Sequence, residues 1–287
     1  MTTAIAAAFD AVSYGAIMVL VVLGLGIVAS MMRIYNFAHG EFMLLGACTL
    51  YLAPIVGLPI WAGVIVAPFA VALVGLGAER LAVRRFYSQP VTAMLTTYAL
   101  ALLIRETVRG TTGGRFLSVA APISGTMNVG GVELSLWRIA IIAITCVVVA
   151  TSYAILMRTY LGLWIRAALD NPTLARASGI PTGFVYAGTF AFGAGLAGLA
   201  GALIVPLYTL NADLGVRFLL IGFLAVMIGG AGSFAGTLIG GAVIGVISAL
   251  LPWIISPVVT DLLVFVAAIA FTKSRPRGLL GTGSLNA

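Results

Sequence analysis

Long apolar segments follow one another along almost the whole chain, with only short polar turns between them. A helix needs about 20 apolar residues to cross the hydrocarbon core of a bilayer, and several of these segments reach or approach that length. Hydrophobic residues make up 62% of the 287 residues, against roughly 45–50% in soluble globular domains. The sequence therefore predicts an all-α, polytopic integral membrane protein. One transmembrane domain would occupy residues 1–287, leaving no room for a separate soluble domain.

Nine apolar segments are candidate membrane spans. The seventh is short and runs into a glycine-rich turn, so it could be re-entrant instead of spanning. The sequence thus predicts eight or nine transmembrane helices. A linker rich in Gly, Ser and Thr, over about 110–133, is the longest stretch that is not apolar. The nine segments cover about 12–32, 35–53, 60–78, 91–108, 136–157, 184–207, 218–228, 237–255 and 257–271.

The basic residues predict the orientation, because cytoplasmic loops of membrane proteins carry an excess of Lys and Arg. With the N-terminus outside and nine spans, most of the 15 basic residues fall inside. The net charge of +7 is then explained by cytoplasmic loops, not by nucleic-acid binding. The opening residues lack a basic segment and carry Asp10, so no cleaved signal peptide is expected. The inside set is Arg33, Arg80, Arg84, Arg85, Arg158, Arg166, Arg176, Lys273, Arg275 and Arg277, and the outside set is Arg105, Arg109, Arg115, Arg138 and Arg217.

The loop over about 158–181 lies on the predicted cytoplasmic side and contains a short helix with both ends marked. Asn171 can cap the helix, and Pro172 fits its first turn. Gly179 supplies the left-handed residue that ends it, and Pro181 prevents continuation. A defined, small-surfaced helix indicates docking to a partner, although a solvated connector is the simpler alternative. The candidate coupling residues are Arg166, Asp170, Asn171, Pro172, Ala175, Arg176, Ala177 and Gly179.

Polar residues inside or beside the apolar segments are candidates for a translocation path. A charged side chain at the bilayer centre costs about 2.5–3.5 kcal/mol or more, so it usually lines an aqueous path or is paired. Asn36 and His39 are expected to share a helix face, with Glu41 pointing elsewhere. In the alternative, these groups sit at the membrane edge near Arg33 and satisfy one another, and Arg109 neutralises Glu106. The candidate path residues are Asn36, His39, Glu41, Thr97 and Glu106.

Small residues recur at spacings of three and four in the later apolar segments. Such spacing lets helix backbones approach closely in a bilayer, where packing drives helix association. The run from Gly193 to Gly198 also fits a dinucleotide-binding fingerprint, but it lies inside an apolar helix with no preceding strand. We therefore predict helix-packing roles for Gly195, Gly198, Gly201, Gly232, Gly236 and Gly240.

The chain lacks the residues for nucleotide hydrolysis or metal binding. Its only lysine, Lys273, lies between Thr272 and Ser274, so the Gly-Lys-Ser/Thr of a phosphate-binding loop is missing. One histidine and two separated cysteines cannot supply the usual ligands of a zinc site. Energy for any transport must come from another chain or from an ion gradient.

Several motifs together resemble the Liv-type permeases, the membrane subunits of bacterial ABC importers for branched-chain amino acids, with relatives that carry urea and short amides. The motifs are RIYNFAHGEF at 33–42, RAALDN at 166–171 with ASGI at 177–180, AGLAGA at 197–202 and GGAGS at 229–233. The resemblance implies a related second permease subunit, two cytoplasmic ATPase subunits that use ATP and Mg, and a periplasmic binding protein. It also implies an inner-membrane location, no cofactor bound by this chain, and a coupling role for residues 166–180.

The sequence is therefore interpreted as a permease subunit of an ATP-driven importer, without enzymatic activity of its own. Its predicted solute is small and neutral, with branched-chain or other hydrophobic amino acids first and urea or short amides as the alternative. An ion-coupled secondary transporter is the alternative from another class. It would need a buried acidic ion site, for which Glu106 is the only candidate. A purely structural membrane scaffold would not need a docking helix on the inside.

Overall fold

The computed structural model describes residues 2–32, 34–87, 89–230, 233–275 and 278–280. These residues form eleven α-helices and one antiparallel two-stranded hairpin, with short 3-10 turns between some of them. The helices are α1 Thr2–Met32, α2 His39–Ile55, α3 Ile60–Leu81, α4 Pro90–Thr112, α5 Leu136–Arg158, α6 Tyr160–Asp170, α7 Pro172–Ala177, α8 Thr182–Ile204, α9 Leu214–Gly229, α10 Phe234–Leu250 and α11 Pro257–Ser274, and the strands are β1 Thr126–Val129 and β2 Val132–Ser135.

The helices confirm the predicted all-α membrane architecture. Within the described residues, seven helices are long and apolar enough to cross a membrane. The two remaining apolar segments form α2, with 17 residues, and α9, with 16 residues. At 1.5 Å per residue these helices are only about 24–25 Å long. The chain has nine transmembrane helices only if α2 and α9 are both counted as spans.

Two helices, α1 and α8, form the centre of the bundle. In the most apolar 18-residue stretch of each helix, the buried share of residues is 78% for α1 and 72% for α8. Both helices are apolar on all sides, as expected of helices surrounded by others. The outer helices α3, α4, α5 and α11 instead expose large apolar side chains, such as Phe69, Leu103, Val147 and Leu262. This exposed apolar surface suits contact with lipid.

The helices α1 and α10 run antiparallel, and the connected helices of the bundle define two ends of the molecule. Along α1 and α10, Gly26 lies beside Thr237, Gly241 beside Val19 and Gly245 beside Gly15. The end that carries α6 and α7 is called the inner end here, following the orientation predicted from charge. The end that carries the β1–β2 hairpin is called the outer end.

Two elements were not predicted. The linker over 110–133 contains most of the β1–β2 hairpin, whose turn residues Gly130 and Gly131 have φ of 60° and 83°. Positive φ at both central residues is typical of the two-residue turns that join antiparallel strands. The loop over 158–181 contains α6 ahead of the predicted short helix, capped where Thr159 Oγ1 accepts from the Gly162 amide. The first helix also begins at Thr2, earlier than the predicted residue 12.

Candidate functional site

The chain is unwound between α1 and α2, and α2 begins deep inside the bundle. Nε2–H of His39, the first residue of α2, donates to the carbonyl oxygen of Val21 at 3.1 Å. Val21 lies about 16 Å before the end of α1 at Met32, at 1.5 Å per residue. The described residues 34–38 therefore run back along α1 in a non-helical conformation. Irregular backbone at membrane depth is tolerated only where protein or a water-filled cavity surrounds it.

Side chains satisfy much of the backbone of this unwound segment. Thr97 Oγ1, from α4, accepts from the Phe37 amide at 3.1 Å. Asn36 Oδ1 accepts from the Ala38 amide at 3.0 Å, and the Asn36 carbonyl accepts from the His39 amide at 3.2 Å. A buried amide without a partner is costly, so these bonds allow the helix to start where it does.

A buried ion pair involves Glu41, which also lies in the first turn of α2. The Glu41 side chain is fully buried and Arg105, from α4, is 17% exposed. Arg105 donates to Glu41 Oε1 from Nε at 3.0 Å and also from Nη2. The pair neutralises two charges that would each be expensive to bury alone. Asn36, His39, Glu41, Thr97 and Arg105 are called the buried polar cluster below.

The buried polar cluster keeps unused hydrogen-bonding atoms. Asn36 Nδ2, His39 Nδ1 and Glu41 Oε2 are buried and have no hydrogen-bond partner among the residues that the structure describes. Because Nε2 of His39 donates to a carbonyl, Nδ1 is the acceptor nitrogen whenever the ring is neutral. Unpaired buried polar atoms are rare in proteins and call for an explanation. Here one donor and two acceptors could bind a polar solute or water without first losing another bond.

Four of the five predicted path residues belong to this cluster, but one detail of the prediction was wrong. Asn36 precedes α2, so Asn36 and His39 do not share a helix face. The alternative placed these groups at the membrane edge near Arg33. The cluster lies beside the middle of α1, and Arg33 itself lies outside the described residues. Arg105, which completes the cluster, was missed as a member. Its signal was a charged residue inside the apolar segment at 91–108.

Glu106, the fifth predicted path residue, lies elsewhere. Its side chain is 56% exposed, and its Oε1 accepts from Arg109 Nη1 at 2.8 Å. Nη2 of Arg109 in turn donates to Asp213 Oδ1 at 2.8 Å. The pairing of Glu106 with Arg109 is the alternative that the sequence allowed. The three residues form an exposed ionic network near the outer end of α4.

The inner end presents the predicted short helix as α7. Asn171 Oδ1 accepts from the amides of Thr173 and Leu174 at 3.1 and 2.9 Å, as expected of an N-cap. Gly179 has φ of 82°, the left-handed conformation expected after the helix end. Arg166, on α6, donates to the Leu156 carbonyl and so ties α6 back to α5. The predicted elements of the cap are therefore present, with Asn171 also ending α6.

The two alanines of α7 face in opposite directions. Ala175 is only 4% exposed, so its small side chain is explained by packing within this chain. Ala177 is exposed, together with Arg176 and with Leu174, which is 63% exposed. Asp170 is exposed and Pro172 partly so. The outward face of α7 therefore combines apolar, basic and small residues. No described part of this chain covers that face.

A second buried carboxylate lies behind α6 and α7. Glu79, at the end of α3, is fully buried, and the Tyr87 hydroxyl donates to its Oε1. Burial and this hydrogen bond raise the pKa of Tyr87 above its ordinary value. The Tyr87 ring contacts the Tyr186 ring, and their centres are 5.2 Å apart. A cavity of about 220 Å³ separates this group from Asp170 and Pro172 at the junction of α6 and α7.

The predicted packing glycines lie at close backbone contacts. A Cβ on Gly201 would overlap the Met43 carbonyl, and one on Gly195 would lie 2.9 Å from the Pro68 oxygen. A Cβ on Gly198 would lie 2.7 Å from Val71 side-chain atoms. On α10, Gly236 meets the backbone of Gly229, and Gly240 meets that of Ala225. Gly232 lies outside the described residues.

The whole chain is similar to known transport proteins. It is 27% identical over 294 residues to the high-affinity branched-chain amino acid transport system permease protein LivH of Escherichia coli K12 and of Salmonella typhimurium, covering 95% of this chain and 94% of each relative. It is 24% identical over 288 residues to BraD, the corresponding permease protein of Pseudomonas aeruginosa, with the same coverage. No solved structure matches it significantly. The model of the family described as branched-chain amino acid transport system, permease component, matches residues 7–272. The chain therefore belongs to this family of transport-system permease components.

Proposed function

We propose that this inner-membrane permease imports branched-chain amino acids and that α7 couples it to a cytoplasmic ATPase. The solute is inferred from relatives named as branched-chain amino acid permeases. The ATP-driven energy source is inferred from the resemblance to permease subunits of ABC importers. The absence of a Gly-Lys-Ser/Thr loop requires only that the energy come from outside this chain. ATP and Mg would be bound by two partner ATPase subunits. A second permease subunit and a periplasmic binding protein would complete the importer.

The outward face of α7 is the observation that carries the coupling proposal. The helix is capped at both ends and held to the bundle through buried Ala175, so a force applied to it would reach α6 and α8. Leu174, 63% exposed, supplies an apolar contact at its centre. A solvated connector would not need an exposed leucine beside an exposed alanine on a six-residue helix.

The buried polar cluster is the proposed polar part of the translocation path. Its unpaired atoms could bind the ammonium and carboxylate groups of an amino acid once the bundle opens. Unwound segments and helix starts near the bilayer midplane recur at solute sites of membrane transporters. The close glycine contacts of α2 and α8 would allow these helices to shift as rigid bodies.

Substitution of Ala177 tests the coupling role. In Ala177→Glu a large charged side chain would replace a methyl group on the proposed contact surface. We expect the permease to insert normally and to lose ATPase co-purification or leucine-stimulated hydrolysis in reconstituted vesicles. Ala177→Ser is the matched control, because it preserves the size of the residue. Normal ATPase stoichiometry, hydrolysis and uptake in Ala177→Glu would rule out coupling through α7.

Labelling of an introduced cysteine tests the orientation on which the coupling role depends. Ser274 ends α11 and should face the cytoplasm. In a background of Cys48→Ser and Cys146→Ser, Ser274→Cys should resist an impermeant thiol reagent added outside and react after permeabilisation. Reaction in intact cells would place α7 on the wrong side of the membrane for an ATPase.

Transport assays separate the candidate solutes. In vesicles that contain the complete importer, ATP would be supplied on the side of the membrane where the ATPase subunits bind. Leucine, isoleucine or valine should then be transported to that side. Uptake of urea or acetamide with no leucine uptake would favour the urea and short-amide alternative. Leucine uptake driven by an imposed ion gradient without ATP would favour the secondary transporter.

A further inference from the structure

A cavity of about 350 Å³ opens at the outer end, separate from the buried polar cluster. Its walls come from the outer ends of α1, α5, α9, α10 and α11. Small-molecule sites in proteins typically have volumes of about 300–1,000 Å³. The cavity is therefore large enough for a small solute, and its position is the one that a solute would meet on arrival from outside.

Two ion pairs line this cavity. Arg217, in the first turn of α9, donates from Nη2 to Asp261 Oδ2 of α11 at 3.2 Å. Arg138 of α5 pairs with Asp10 of α1. The four side chains are 33–51% exposed, so all of them remain accessible from the cavity. Ser248 contributes a buried hydroxyl oxygen, for which the described part of the chain supplies no hydrogen-bond partner.

The Arg217–Asp261 pair leaves bonding capacity on both partners. A guanidinium carries five N–H donors and a carboxylate about four acceptor positions. The pair uses one of each in its hydrogen bond to the other. The remaining donors and acceptors lie side by side, so the cavity wall presents a positive and a negative group next to each other.

We propose that this outer cavity is an entry site for a zwitterionic amino acid. The α-carboxylate would bind the free N–H groups of Arg217, and the α-ammonium would bind the free oxygen of Asp261. The two charged groups of an α-amino acid are both bonded to its α-carbon, and the Arg217–Asp261 pair places the opposite charges 3.2 Å apart, close enough for one amino acid to contact both. Charge-assisted hydrogen bonds of this kind are about twice as strong as neutral ones.

The remainder of the cavity suits an apolar side chain. Ile17, Leu207 and Trp253 line it together with the charged groups. A hydrophobic amino acid could bind its backbone charges at Arg217 and Asp261 while its side chain contacts these residues. Urea and short amides contain no charged groups, so they would gain less from the ion pair than a zwitterionic amino acid would. The entry site would therefore favour hydrophobic amino acids over urea and short amides. This inference rests on the proposed function.

Protection of an introduced cysteine tests the entry site directly. Ala249→Cys, at another residue that lines the cavity, would be placed in the complete, purified importer with Cys48→Ser and Cys146→Ser, and its reaction with a small thiol reagent would be followed. L-Leucine should slow the reaction in a concentration-dependent way, and urea should not. In Arg217→Gln/Asp261→Asn, the leucine concentration for half protection should rise about tenfold or more, since each lost charge-assisted bond contributes to affinity.

A second substitution and an uptake assay separate the possible failures. Glu133→Gln removes a charge from the exposed outer hairpin and should leave protection unchanged. Exposed ion pairs contribute little to stability, so the double variant should fold. Absence of leucine protection in a preparation that transports leucine would overturn the entry site and leave the proposed function intact. Leucine protection without leucine uptake would support the site and count against the proposed function. Equal protection in the double variant would overturn the assignment to Arg217 and Asp261.

Discussion

Arg105 and Glu106 are adjacent on α4 and lie in opposite environments. Arg105 is 17% exposed and pairs with Glu41, which is fully buried. Glu106 is 56% exposed and shares Arg109 with Asp213. Both are charged residues in one helix, and both belong to ion pairs. The structure shows that only the first pair is part of the interior of the bundle.

The difference predicts unequal consequences of mutation. Breaking a buried pair leaves one charge without its partner in a region of low dielectric, at a cost of about 3–5 kcal/mol. Breaking an exposed pair releases two groups to solvent and typically costs about 0–1 kcal/mol. The ion pairs of α4 can therefore be used to test whether burial, and not charge itself, governs the contribution of a polar residue to this fold.

Glu41→Gln should have the largest effect. It removes the counter-charge of Arg105, and we expect a loss of about 3–5 kcal/mol in stability. The melting temperature of the purified permease and its yield from the membrane would both fall. Glu106→Gln is the matched control on the exposed side. Equal melting temperatures for the two variants would show that the buried pair contributes no more than the exposed one.

The double variant Glu41→Gln/Arg105→Gln sharpens the comparison. Removing both charges avoids a stranded cation, so the double variant should be more stable than Glu41→Gln alone. If the buried polar cluster lines the path, uptake should nevertheless remain low after the stability is recovered. Recovery of both stability and uptake would assign the pair a structural role only.

Two glycines extend the comparison from charge to packing. A Cβ on Gly40, beside the buried polar cluster, would lie 2.5 Å from the Gly215 carbonyl oxygen. No atom of the described residues lies within 4 Å of a Cβ on Gly110 of α4. Gly40→Ala should cost about 1–3 kcal/mol through overpacking. Gly110→Ala should be neutral or stabilise by up to about 1 kcal/mol, because alanine favours helix. A lower melting temperature for Gly110→Ala than for Gly40→Ala would contradict the packing at Gly40.

Glu106→Gln should have the smallest effect of the substitutions that remove a charge. Its exposed pair with Arg109 predicts a change of no more than about 1 kcal/mol. Expression, melting temperature and uptake should stay close to those of the unmodified permease. A large loss of uptake at normal stability would return Glu106 to the translocation path. Recovery of such a loss in Glu106→Gln/Arg109→Gln would then identify the cause as a stranded arginine.

Local signals in the sequence were enough to establish several parts of this protein. The apolar segments predicted a helical membrane bundle, since a bilayer leaves backbone groups no other partners. Asn171, Pro172 and Gly179 predicted α7, because caps act over a few neighbouring residues. The Gly130-Gly131 turn carried an equally local signal for the hairpin, which the linker interpretation overlooked.

Tertiary contacts decided which polar residues meet. Glu41 and Arg105 are 64 residues apart in the chain, and no spacing rule relates positions on different helices. The depth at which α2 begins is set by contacts of His39 with α1 and of Phe37 with α4. For the same reason Arg217 and Asp261, which belong to α9 and α11, appear as one charged wall only in the folded molecule. Sequence periodicity orients a side chain about its own helix axis, but packing alone selects the helix that it faces.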